Sequence, residues 1–67
     1  MLVKFTNNAE DFKGMPLYIN IDNIMSVFEV STNQGSLVTC IYGLSKDTWY
    51  IEEGLSEAIT IVNGWKN

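Results

Sequence analysis

The chain has no histidine, no arginine, one cysteine and one proline among its 67 residues. Cys40 has no partner for a disulfide within its own chain, and one cysteine without histidine cannot make a thiolate–imidazole zinc site. Four scattered lysines (Lys4, Lys13, Lys46 and Lys66) stand against eight carboxylates for a formal net charge of −4. Nucleic-acid binders neutralise phosphates with clustered Lys and Arg and read guanine with bidentate Arg, so DNA and RNA are not expected partners. Anionic membrane surfaces are disfavoured on the same ground. No apolar run approaches the roughly 18 residues that span a bilayer. Met1-Leu2-Val3-Lys4-Phe5 lacks the charged head and long apolar middle of a signal peptide. A free cysteine without an export signal fits a reducing compartment, so the expected location is cytoplasmic. The glycines have no phosphate-loop spacing. Catalysis would have to rely on carboxylate, lysine, hydroxyl and one thiol, and the chain is not expected to be an enzyme or to hold a cofactor.

What is present is apolar. Hydrophobic residues make up 46% of the chain, with two Trp, three Tyr and three Phe. A domain this small buries only about 60% of its unfolded surface, and such domains often rely on disulfides, metals or association for stability. With the first two routes closed, a homo-oligomer or a protein partner is the expected support.

The organising stretch runs from Pro16 to Val30. Leu17, Ile19 and Ile21 alternate with Tyr18, Asn20 and Asp22, the two-residue period of a strand with one buried face. Asp22-Asn23 supplies a polar corner. A second run then sets Ser26, Phe28 and Val30 against Val27, Glu29 and Ser31, which predicts a hairpin-like nucleus. Before it, Leu2–Thr6 reads as a strand with Val3 and Phe5 on one face, and residues 7–14 as a loop long for a hairpin. Pro16 suits the first position of a strand or an edge. After it, residues 31–36 form a turn around Gly35. Leu37–Tyr42 is apolar on both faces, as a central strand would be. Residues 43–47 turn again, and Thr48–Glu52 is a strand with Trp49 and Ile51 opposite Thr48, Tyr50 and Glu52. The period then becomes helical through Leu55, Ala58, Ile59 and Val62, with Ile61 and Trp65 as a flanking pair. Gly54 serves as a permissive N-cap, Glu57 sits at the capping-box position, and Asn63-Gly64 reads as the stop. No repeat, linker or low-complexity segment interrupts the chain. The expected fold is a single α+β domain over residues 1–67: a small twisted antiparallel sheet or half-barrel of four to five strands, with one C-terminal helix packed on it.

Among polar groups, Glu52, Glu53 and Glu57 are the densest carboxylates. Their expected role is to favour a helix N-terminus and keep the surface solvated, with a weak divalent-cation site as the alternative. Cys40 lies between Thr39 and Ile41 with no cation near in sequence, and reads as a small buried hydrophobe rather than a reactive thiol. Asp22-Asn23 is accounted for as a turn. Aromatic residues are the interface candidates: Tyr18, Tyr42, Trp49, Tyr50 and Trp65 exceed what one small core can hide, and Trp and Tyr are favoured interface anchors. Packing of Trp49 and Trp65 between helix and sheet is the competing assignment.

The order of the first strand, then Leu17-Tyr18-Ile19-Asn20-Ile21-Asp22-Asn23-Ile24, a strand, a glycine turn and a strand holding Thr39 and Ile41 resembles the small FlbD-type flagellar and swarming accessory proteins. The likeness continues through Tyr50-Ile51-Glu52-Glu53 and the helix from Leu55 to Val62. It implies a non-enzymatic cytoplasmic accessory protein with no catalytic residues. In character the chain is also similar to small phage and mobile-element proteins. The expected function is therefore a non-catalytic interaction module of bacterial or phage origin, acting by homo-oligomerisation or by binding a protein partner. An acidic decoy for a host enzyme's basic groove is the first alternative. A small-molecule binder with a pocket at the sheet–helix junction or between subunits is the second.

Overall fold

Among the described residues, five strands and one α-helix follow in chain order: β1 (Leu2–Thr6), β2 (Pro16–Asn20), β3 (Ile24–Ser31), β4 (Leu37–Gly43), β5 (Thr48–Ile51) and α1 (Leu55–Lys66). The structure, a computed structural model, describes the backbone of residues 1–66 and the side chains of residues 1–64. The class is α+β. The strands divide into a two-stranded sheet, β1-β2, and a three-stranded sheet, β3-β4-β5, all pairs antiparallel, instead of one sheet of four to five strands.

The expected hairpin between residues 17–22 and 24–30 does not form. β2 pairs with β1, and β3 pairs with β4. The polar corner is a 3-10 turn over Ile21–Asn23, capped by the Asn20 side chain, which accepts from the Asp22 N–H at 3.1 Å. A tight two-residue hairpin turn takes positive φ at one or both central residues. No residue of this corner has it, so the chain is turned out of one sheet and into the next. Ile21 itself is buried, and its N–H donates to the Met1 carbonyl at 2.9 Å.

The true N-terminal hairpin is β1-β2. Its long connection is ordered by a 3-10 turn at Glu10–Phe12 and by paired bonds between Asn7 and the segment Gly14–Met15, each 2.8 Å. Across the molecule, Asn7 bridges Ile51 in antiparallel sense. The Glu52 N–H donates to the Thr6 carbonyl and the Asn8 N–H to the Tyr50 carbonyl, at 2.9 and 2.8 Å. This short seam joins β1 to the end of β5 and curls the two sheets around one core, so the half-barrel description holds locally.

Val3, Phe5, Ile19, Ile21, Ile24, Ile41, Ile51, Ala58 and Val62 form the buried cluster, with Leu17, Val27, Trp49 and Ile61 packed against it. These positions are the alternating faces of the strands and the i, i+4 pair Ala58 and Val62 of α1, which lies on β1, β3 and the Ile21–Asn23 turn. The Gly54 carbonyl accepts from the Ala58 N–H at 2.9 Å, the first bond of the helix. The helix does not stop at Asn63-Gly64. A glycine stop works by taking a left-handed φ, and Gly64 keeps a negative one, so the helical bonding runs on to Lys66.

Candidate functional site

The register of the three-stranded sheet sorts its side chains into two faces. Directly opposite residues of an antiparallel pair share a face. The inner face carries Val27 and Ile41 opposite Trp49, and Thr39 opposite Ile51. The outer face carries Phe28 opposite Cys40 opposite Tyr50 in one row, flanked by Val30 with Val38 and by Ser26, Tyr42 and Thr48.

Cys40 is 1% exposed and yet is no part of the inner cluster. Phe28, 38% exposed, and Tyr50, 44% exposed, stand directly opposite it on the two neighbouring strands and keep much of their own surface open to solvent. Tyr42 is half-buried on the same face, on a diagonal to Tyr50 that aromatic side chains can span. Burial pushes the Cys40 thiol up, which keeps it protonated and a poor nucleophile. This face presents aromatic and aliphatic side chains around a protonated thiol.

The other candidates are dispersed. Tyr18 is exposed on the outer face of the β1-β2 hairpin, opposite Lys4 and apart from Tyr42 and Tyr50. Trp49 belongs to the inner face and packs against the core, its ring lying over Gly43. A Cβ at Gly43 would stand 2.9 Å from that ring. The side chain of Trp65 lies outside the described residues. Phe28 was not singled out by composition, although it alternates with Ser26 and Val30. What marks it is the pairing with Cys40, which only the register reveals.

Two of the polar candidates, Glu53 and Asn23, make internal hydrogen bonds. Glu53 accepts from both the N–H and the hydroxyl of Thr6. Asn23 fastens the corner to the β4-β5 turn: its side-chain oxygen accepts from the Ser45 N–H at 3.2 Å, and its amide donates to the Ser45 hydroxyl at 3.2 Å. The Ser45 hydroxyl lies 2.8 Å from Asp47 as donor. Among the described residues, no group of three His, Cys, Asp or Glu side chains is placed to hold a metal ion. A shallow cleft of about 510 Å³ lies between the residues 8–13 loop and the residues 32–34 turn, lined by Asn8, Glu10, Lys13, Thr32, Asn33 and Gln34. That is away from the sheet–helix junction, which the core fills. No described helix is long and apolar enough to cross a membrane. Comparisons with protein-family models, with curated proteins and with solved structures yielded no match.

Proposed function

We propose that the protein is a non-catalytic interaction module of bacterial or phage origin, acting by self-association or by binding a protein partner through the outer face of its three-stranded sheet. One observation carries this reading: Phe28 and Tyr50 flank a shielded Cys40 in a single row and stay 38% and 44% exposed, on a sheet face that the helix does not cover. Aromatic groups of this kind, held on rigid strands, supply apolar contact area at low entropic cost. The FlbD-type resemblance points the same way, towards an accessory protein without catalytic residues. The acidic-decoy alternative has less support, since a net charge of −4 is modest and two of the eight carboxylates, Glu53 and Asp47, are engaged in internal hydrogen bonds.

The test compares immobilised wild type with the double variant Tyr42→Ser, Tyr50→Ser. A partner, or a second copy, retained by wild type and lost by the folded variant supports the reading. Binding that survives both substitutions but disappears at high salt would favour the acidic decoy instead.

A further inference from the structure

We infer that β3 is the subunit edge of a twofold homodimer in which two copies join their three-stranded sheets through antiparallel β3–β3 pairing, with Phe28 facing Phe28 of the second copy on the axis. This deepens the reading above and rests on it.

The edges of the molecule differ. β5 is sealed to the end of β1 by the Asn7–Ile51 bridge, and β2 is short and begins with Pro16, which blunts pairing. β3 is eight residues long, has no proline or lysine, carries one charge, Glu29, and has five exposed residues: Met25, Ser26, Phe28, Glu29 and Ser31. Among the described residues no strand pairs with the outer side of β3, and an edge of this length is a template for strand addition.

The register sets which backbone groups are free. The Thr32 N–H donates to the Ser36 carbonyl at 2.8 Å, continuing the β3-β4 ladder past the Ser31–Leu37 pair. Hydrogen-bonded pairs alternate along an antiparallel ladder, so Val30, Phe28 and Ser26 bond inward to β4. Val27, Glu29 and Ser31 therefore point their N–H and C=O groups away from the sheet.

Only some twofold registers satisfy those groups. Opposed residues must share a face, so the axis passes through a residue and not between two. Centring on Glu29 sets two carboxylates opposite each other, which is repulsive. Centring on Val27 runs the pairing into the bulge between Ile24 and Ser26. Centring on Phe28 sets Val27 opposite Glu29 as hydrogen-bonded pairs and Ser26 opposite Val30, and it brings the two Phe28 rings together at the closer, non-hydrogen-bonded kind of position. The aromatic rows of the two copies then run into one, Tyr50-Cys40-Phe28 continuing through its symmetry mate across a six-stranded sheet.

Sedimentation equilibrium of the full chain tests the proposal. Glu29→Pro removes an outward N–H and none that bonds β4, so the fold should survive on circular dichroism while the dimer weakens about tenfold or more. Glu29→Gln should dimerise as wild type does. Independently, Phe28→Cys in a Cys40→Ala background should give a disulfide-linked dimer on mild oxidation, because opposed residues at such a position fall within disulfide reach. Val30→Cys in the same background, opposite Ser26, should link far more slowly. A wild type that stays monomeric, a folded Glu29→Pro protein that still dimerises, or equal linking at positions 28 and 30 overturns the inference. Tyr50→Ser lies away from the edge. Loss of partner binding in that variant with the dimer intact, or the reverse pattern in Glu29→Pro, separates the outer-face reading from this one.

Discussion

Glu53 holds Thr6 twice: the backbone N–H and the side-chain hydroxyl of Thr6 each donate to a different oxygen of the same carboxylate, both at 2.9 Å, across 47 positions of sequence. The pair is half-buried and adjoins the seam between β1 and β5, where the Glu52 N–H also reaches the Thr6 carbonyl. Removing the acceptor leaves a partly shielded N–H without its bond. Glu53→Ala should cost about 1–3 kcal/mol and Glu53→Gln less, since an amide oxygen can still accept one of the two bonds. Thermal unfolding of the two variants beside wild type checks the ranking.

Gly43 is needed for space. Its missing Cβ is where the Trp49 ring lies, with the Asn23 amide 3.2 Å away on another side. Gly43→Ala should therefore destabilise by about 1–3 kcal/mol as the indole is pushed off the sheet, and tryptophan fluorescence should shift with it. Gly43→Ala combined with Trp49→Phe should recover part of the loss, because the smaller ring frees that volume. Additive losses in the pair would rule out the proposed clash.

Cys40 should resist thiol reagents in the folded chain and react at once on unfolding, a contrast that a colorimetric thiol assay in buffer and in denaturant reads directly. Burial raises its folded-state pKa, so above the ordinary thiol range the unfolded chain has released a proton that the folded chain still binds. Stability then falls as pH rises. The alkaline slope of denaturant midpoints should be shallower in Cys40→Ala than in wild type.

Two backbone positions can be improved. Lys46 takes a φ of +70°, a conformation that costs a side chain of this kind roughly 1 kcal/mol. Lys46→Gly should be neutral to stabilising by up to about 1 kcal/mol, the relief being partly offset by the greater freedom of glycine in the unfolded chain. Gly54→Ser should add a side-chain cap to α1 with Glu57 in place to complete the box, worth a few tenths of a kcal/mol over glycine. A calorimetric melt of each variant gives the sign.

Local pattern carried the strands, the central position of β4 and the helix, because each is encoded by periodicity within a few residues. Val3 and Phe5, Leu17 and Ile19, and Thr39 to Ile41 all sit where alternation puts them. What alternation could not supply was which strand pairs with which. The Ile21–Asn23 corner looks like a hairpin turn in composition, and only its negative φ values and the Asn20 cap make it a crossing between sheets. For the same reason the aromatics could be counted but not sorted. Trp49 and Tyr50 are neighbours in sequence and lie on opposite faces, and Phe28 acquires its place beside Cys40 from a strand twelve positions away. Glu53 was one of three clustered carboxylates until the seam with Thr6 distinguished it.

The seam also imposes an order on the life of the chain. Thr6 is made 47 positions before Glu53, its partner. The β1-β2 hairpin can form early, but its apolar face has no lid until β5 and α1 arrive. Until those later segments are in place, the hairpin is an unfinished clasp.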